Sequence, residues 1–402
     1  MSFSNETLNG TKALFQPQRP TDAAIAASAS FVTLVMLLTI LGNGLVCFSV
    51  FHFHRLRSPT NYLIVSLAVS DILVGVLSLP FRLTQTLHGE AWPDNLGLPG
   101  CKLWIWVDML SAAASILNLT GISIDRLIAI SQPLKYRERM TGRRVLYIIA
   151  FVWAYALLCS SLSFVKWNNK ETIKSIPQCS IRAKEYITIA AFTVFFCPLV
   201  ILVICYGLVL KIAVGHAKQV QRDKNAIALN YHPEPNSSDS GQDNNGTHLT
   251  VPLNEKQSSP KKFRRGSILP PIFSKNHDKA NKNKRMRSST LQVIKQLKAT
   301  KTLAIVVGFF ILCWFPFFVI FLTSQYCETC FSHVNPKLLE ALLIVFIRVL
   351  PVSNSAANPI IYSCFNVEFR TAFVRVFNKI LCRKIRPRNP YYDNTQTHLS
   401  TM

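Results

Sequence analysis

Seven apolar stretches, each long enough to cross about 30 Å of hydrocarbon, leave this chain few folds to choose from. They fall at roughly 25–51, 60–84, 102–131, 144–165, 186–210, 302–323 and 338–363. Inside a bilayer every backbone N–H and C=O must find a partner within the protein, so such stretches form helices. The expected fold class is an all-α membrane protein, a seven-transmembrane helix bundle. The seventh stretch carries Arg348 mid-run and is read from pattern as much as from hydropathy. Half of the 402 residues are hydrophobic and the mean hydropathy is +0.25, which excludes a soluble domain of this size. The first stretch begins too late, and follows too little positive charge, to be a cleaved signal peptide.

The seventh stretch ends in Asn358-Pro359-Ile360-Ile361-Tyr362. A proline inside a membrane helix frees a backbone carbonyl that needs a new partner. An amide beside it is costly in hydrocarbon and must face the bundle interior. Together they predict a deformable joint near the inner end of the helix.

Charge sets the orientation. The first 24 residues balance Lys12 and Arg19 against Glu6 and Asp22. The loop after the first span holds Arg55 and Arg57, and that after the third holds Lys135, Arg137, Arg139, Arg143 and Arg144. Residues 211–301 hold 18 Lys/Arg against 6 Asp/Glu, half of the chain's net +24. Basic loops lie on the cytoplasmic side, so the N-terminus is expected outside and the chain at the plasma membrane. The positive charge then answers anionic lipid and cytosolic partners, not nucleic acid.

The expected organisation is an outer tail over 1–24, five spans with loops over 25–215, and a disordered basic third inner loop over 216–290. Two spans over 291–363 and a cytoplasmic helix with tail over 364–402 complete it. Phe369, Phe373, Val376, Phe377 and Ile380 share one helical face, which predicts an amphipathic eighth helix on the inner leaflet. Asn5 and Asn9 head sequons in the outer tail and are candidate glycan acceptors. Ser267 follows Arg264-Arg265-Gly266, a basophilic kinase pattern, and Cys382 is a candidate palmitoylation site. Five of the 11 cysteines lie inside spans, but Cys101, Cys179, Cys327 and Cys330 fall on the outer side. There an oxidising exterior allows bridges Cys101–Cys179 and Cys327–Cys330.

Ionisable groups inside spans are candidate functional groups. Asp71 lies mid-span, with Ser115, Asn354, Ser355 and Asn358 offering oxygens at similar depth. That set suits either a sodium ion or a hydrogen-bond network holding the bundle. Asp125-Arg126 closes the third span as an ion pair or as a snorkelling arginine. Asp108 precedes Arg126 by 18 residues, five helical turns, so it shares that face near the outer side. Two readings of Asp108 stand: counter-ion for a ligand ammonium, caged by the rings of Trp314, Phe317 and Phe318, or internal partner of Arg348 or Arg82.

These residues resemble those of class A, rhodopsin-like G-protein-coupled receptors, over about 25–382 without the inner loop. The motifs run in order: Gly42-Asn43; Leu67-Ala68-Val69-Ser70-Asp71; Cys101, Asp108 and Asp125-Arg126; Trp153; Pro198 and Tyr206; Cys313-Trp314-Phe315-Pro316; and Asn358-Pro359-Ile360-Ile361-Tyr362. The resemblance implies a receptor that binds a small extracellular ligand and activates a heterotrimeric G protein, with arrestin and receptor kinases as further partners. It implies a connector of Ile116, Pro198 and Phe310, a sodium pocket at Asp71, a toggle at Trp314 under the ligand with Pro316 in the same switch, and a meeting of Arg126, Tyr206 and Tyr362 on activation. No cofactor is implied beyond an allosteric sodium ion. Leu127 and Gln296 depart from the usual pattern around Arg126, which implies a loosely held inactive state.

Within that class, Asp108 with Trp314, Phe317, Phe318 and the Cys327–Cys330 loop resembles the biogenic-amine receptors, with Ile181 expected over the ligand. Ala190, Ala191 and Val194 replace the serines of catechol-binding members, and Val349 and Val352 replace an aromatic pair. Arg82 and Arg348 would make the pocket partly cationic, which suits a carboxylate or zwitterion better than a simple amine. The readings left open are an amine receptor, a receptor for a carboxylate or zwitterion, a constitutively active receptor without ligand, and an ion-linked transporter. The single Pro motif and the absence of paired broken helices argue against transport. No convergent nucleophile, base or metal cluster suggests an enzyme.

Overall fold

The computed structural model describes residues 20–132, 135–168, 171–175, 178–229, 302–327 and 329–381. Seven helices are long and apolar enough to span: α1 Asp22–His52, α2 Pro59–Leu87, α3 Gly97–Ser131, α4 Gly142–Phe164, α5 Lys184–Ile212, α6 Thr302–Tyr326 and α7 Pro336–Phe365. An eighth, α8, covers Val367–Ile380. All belong to one compact unit.

Local chemistry sets the ends. Ser58 accepts from the Asn61 amide ahead of Pro59, and Asn335 accepts from the Lys337 amide ahead of Pro336. In each, a proline fills the first helical position, where its missing N–H costs nothing. Asn366 accepts from the amides of Glu368 and Phe369, which turns the chain sharply from α7 into α8. Phe369, Ala372 and Phe373 of α8 are buried, Phe369 stacking on Tyr362 at 5.5 Å between ring centroids. Phe377 and Ile380 stay exposed at 52% and 69%, an apolar edge left for another surface.

Leu41, Tyr147, Phe151, Val200 and Leu312 point outward, the reverse of a soluble protein and what a lipid solvent selects. Inward, Leu63, Leu67, Ile116, Leu119, Phe310 and Tyr362 join one cluster linking α2, α3, α6 and α7.

The carbonyl freed by Pro359 is that of Ser355, four residues earlier. Asn43 of α1 donates its Nδ2 to this oxygen at 3.0 Å, and also to Thr39 O at 3.0 Å. Gly42 makes that approach feasible: a Cβ there would meet Pro359 Cγ at 2.8 Å.

Three helices contain wider π-turns that periodicity does not anticipate: Val74–Ser78 in α2, Ala191–Phe196 in α5 and Ile344–Val349 in α7. Each ends two residues before a proline, Pro80, Pro198 or Pro351. The ring clashes with the carbonyl four residues back, at Val76, Val194 or Ile347, and a wider turn there relieves the clash.

Between α4 and α5, β1 (Ile173–Lys174) pairs antiparallel with β2 (Ser180–Ile181), Ile173 opposite Ile181. Disulfide Cys101–Cys179 fastens this hairpin to α3, and Cys327–Cys330 closes the loop after α6. The expectation of disorder from 216 needs correction, because the backbone is helical to Leu229. Residues 217–229 are rich in Ala, Lys and Gln, with no Gly or Pro to stop a helix. Asn5, Asn9, Ser267, Gln296 and Cys382 lie outside the described residues.

Candidate functional site

At the disulfide-bearing end, Asp108 of α3 accepts a hydrogen bond from Ser78 Oγ at 2.7 Å, its only side-chain partner among the described residues. Ser78 also accepts from Trp104 Nε1 at 3.3 Å. The π-turn brings Ser78 to this place, since it is the last residue of that segment.

In place of an ion pair between Asp108 and Arg348, Arg348 meets Glu90 at 3.4 Å, and Arg82 meets the other oxygen of the same carboxylate at 3.4 Å. Sequence reasoning missed Glu90. It lies in the loop after α2, where Gly89 (φ 66°) and Glu90 (φ 70°) both take the left-handed conformation. That turn folds Glu90 back over the helix end, its amide donating to Gln85 O at 3.0 Å and its own carbonyl accepting from Gln85 Nε2 at 3.3 Å. A positive φ at a non-glycine residue costs free energy and persists only where the surroundings hold it. The Gly-Glu pair after a helix end was the available signal. Glu90 takes one of the two positive charges expected to burden the pocket.

Rings of α5 and α6 form a continuous cluster. Trp314 meets Phe317 edge-on at 5.4 Å, Phe317 meets Phe318 at 5.3 Å, and Phe318 stacks on Phe195 at 4.3 Å. Phe195, also missed, belongs to the π-turn of α5. Ile181 packs with the disulfide cluster of Trp92, Cys101 and Ile105. Val352 packs against Val35, Leu79 and Ala356, joining α1, α2 and α7.

At mid-depth, Asn358 Nδ2 donates to Asp71 Oδ2 at 2.8 Å, while Asp71 Oδ1 is buried with no partner at hydrogen-bond geometry among the described residues. Ser115 bonds Ser70 at 2.9 Å, not Asp71. Asn354 and Ser355 are both buried there.

At the Arg126 end, Asp125 is fully buried and collects four donors. Thr60 Oγ1 donates at 2.6 Å, Tyr136 OH at 2.8 Å, and Arg126 through Nε at 3.1 Å and Nη2 at 2.5 Å. Arg126 also bonds Thr60 directly. Tyr136 stands in a single turn, Tyr136–Arg139, beyond α3. Burial first, and then the charge of Asp125, push its phenol up to about 12. Tyr206 and Tyr362 carry buried hydroxyls with no partner at hydrogen-bond geometry among the described residues. Ile116 and Phe310 share the cluster above them, with Pro198 buried on α5 and Pro316 partly buried on α6.

A separate groove of about 460 Å³ lies between the outward faces of α4 and α5, lined by Tyr155, Phe192, Phe196 and Val200. It presents rings and methyls with no convergent charge.

The sequence pattern of the seven-transmembrane receptors of the rhodopsin family matches residues 42–362. The chain belongs to that family. It is similar to the 5-hydroxytryptamine receptor 1D of Homo sapiens, 31% identical over 377 residues that cover 93% of this chain and 94% of that one. It is 32% identical to the alpha-2A adrenergic receptor of Danio rerio, covering 89% of this chain and 92% of that one. It is 28% identical to an octopamine receptor of Bombyx mori, covering 87% of each. This rhodopsin-family receptor is a multi-pass membrane protein of the G-protein-coupled class, a signalling receptor and not an enzyme.

Proposed function

We propose that this receptor binds a protonated biogenic amine at Asp108, at the plasma membrane with the disulfide-bearing end outside, and passes the signal to a heterotrimeric G protein. The carrying observation is that Asp108 forms no ion pair among the described residues and is oriented by a neutral donor, Ser78. A carboxylate so placed is available to an ammonium, and the Trp314–Phe317–Phe318 ring cluster is the cage proposed for it. The relatives named for serotonin, octopamine and adrenergic ligands support the same chemistry. The basic loops support the sidedness. Arrestin and receptor kinases are proposed partners on the cytoplasmic side.

Asp71 supports a second element of this reading. A buried carboxylate oxygen with no partner at hydrogen-bond geometry among the described residues, beside Asn354, Ser355 and Asn358, fits a sodium ion better than a closed hydrogen-bond network. Those residues would hold the ion, which would favour the packed inactive bundle.

The test is second-messenger output in cells against a panel of amines, with Asp108→Asn expressed in parallel. Leaving a ligand ammonium unpaired should cost roughly 3–5 kcal/mol, several hundredfold or more in potency. An amine response that survives Asp108→Asn unchanged, at equal surface expression, rules the reading out.

A further inference from the structure

Arg82 and Arg348 are not fully answered by Glu90. One carboxylate is divided between two guanidiniums, Oε2 toward Arg82 and Oε1 toward Arg348, each at 3.4 Å. Charge-assisted hydrogen bonds between such groups close to about 2.7–2.9 Å, and a guanidinium satisfied by a carboxylate takes it bidentate. Neither arginine has that. Arg82 adds one contact to Gln85 Oε1 at 3.3 Å. Two forks of five N–H donors each therefore face a single shared anion. Arg348 also keeps 37% of its side chain exposed, open to a further partner, while Glu90 is held at 8%.

The position of this pair matters as much as its charge. Arg82 lies four residues, about 6 Å of helical rise, beyond Ser78, whose hydroxyl is bonded to Asp108. Asp108 and Arg82 are within electrostatic reach of each other. The outer end of the bundle thus carries an ammonium acceptor next to a carboxylate acceptor. Counting Asp108, Glu90, Arg82 and Arg348 as charged, the four sum to zero. A plain amine leaves this site with an added positive charge beside two arginines, whereas a zwitterion leaves it balanced.

We propose that Arg82 and Arg348 form a carboxylate subsite, and that the receptor's preferred ligand is a zwitterion with an ammonium on Asp108 and a carboxylate on the arginine pair. Glu90 is the internal carboxylate against which the ligand's carboxylate competes. This rests on the assignment of Asp108 as the ammonium acceptor and adds the second pole.

Matched pairs that differ only in the carboxylate test it: tyramine against tyrosine, and serotonin against 5-hydroxytryptophan. Potency is read as second-messenger output, and binding as the thermal shift of the purified receptor. In the wild type the amino acid of at least one pair should exceed its amine by about tenfold or more. Arg348→Gln and Arg82→Gln should each remove that advantage, lowering the potency of the amino acid more than that of its amine. Arg348→Lys, which keeps the charge and loses the fork, should lie between wild type and Arg348→Gln. Glu90→Gln should strengthen the amino acid selectively. Amino acids that are silent in wild type and in Glu90→Gln overturn the proposal, as do arginine variants that shift both members of a pair equally. Amine responses that need Asp108 while the arginine variants fail to discriminate would sink this subsite alone. Amino-acid responses that need the arginines but ignore Asp108 would instead sink the Asp108 assignment.

Discussion

Asp125 and Arg126 are neighbours in the chain, and their charges cancel inside one buried cluster that Thr60 and Tyr136 complete. At the opposite end a single glutamate from a loop is divided between arginines on α2 and α7, and Asp108 on α3 has no ion-pair partner among the described residues. The Asp125 cluster has donors matched to acceptors at short distances. The Glu90 group has long contacts and partial exposure. A closed cluster resists change until something supplies a better partner, whereas an open one is built to accept a partner. On the proposed reading, holding falls to one end and reception to the other, with the Asn43–Ser355 contact and Asp71 between them.

The largest effect should come from the closed end. Asp125→Ala leaves Arg126, only 11% exposed, with no charge partner, and leaves Thr60 and Tyr136 without their acceptor. Losing one member of a buried pair costs about 3–5 kcal/mol. A large drop in the melting temperature of the detergent-solubilised receptor, with raised basal signalling, is expected. Glu90→Gln should cost less, about 1–2 kcal/mol, because Arg348 reaches water and the amide oxygen still accepts from the arginines. Equal destabilisation by the two variants would break the comparison.

Next in size is the joint between the ends. Asn43→Ala leaves the Ser355 carbonyl freed by Pro359 without its donor, at a cost of about 1–3 kcal/mol. Gly42→Ala should be comparably harmful through its clash with Pro359, about 1–3 kcal/mol. Both should lower thermal stability while leaving ligand selectivity unchanged. A change in selectivity instead would mean that the joint reports directly to the outer site.

Tyr136→Phe removes one of the four donors to Asp125 and should cost about 1–2 kcal/mol, with a modest rise in basal output. Its phenol is raised to about 12, above the ordinary value of about 10. The folded state therefore holds this proton more tightly, and the contribution is complete below pH about 10, fading only as pH rises toward 12. Basal activity that varies with pH between 6 and 9 must then come from another group.

The span positions were legible because they depend on length and hydropathy alone: 60–84 against Pro59–Leu87, and 338–363 against Pro336–Phe365. The need of the Pro359 helix for a new donor was also readable, since it follows from the missing N–H. Its partner, Asn43, was not, because it comes from a helix 312 residues away in sequence. The π-turns escaped because apolar residues surround them on every phase, although Pro80, Pro198 and Pro351 marked all three. Glu90 was the costliest omission. A charged residue in a short loop reads as solvated unless the left-handed turn at Gly89 and Glu90 is foreseen. The helix beyond 215 was missed because the Asn-, Ser- and Pro-rich composition of the later loop was extended back over a segment rich in helix formers.

The smallest effect belongs to the outer loop and tests whether openness there extends to the surface. Glu171 meets Lys166 at 3.2 Å and Lys102 at 3.5 Å, joining the loop before β1 to the start of α3. The hydrogen bond from Lys166, followed by the charge of Lys102, lowers its carboxyl below the usual value. A lowered folded value means the pair contributes fully above the unfolded carboxyl range, about 4.3, and is lost as pH falls through the folded value. Wild type and Glu171→Gln should therefore differ slightly in melting temperature at pH 7 and converge in acid. They should also converge in high salt, since exposed pairs are screened. A difference that survives 1 M salt would show that this loop is held as tightly as the Asp125 cluster, and the contrast between the two ends would then be confined to the arginine pair.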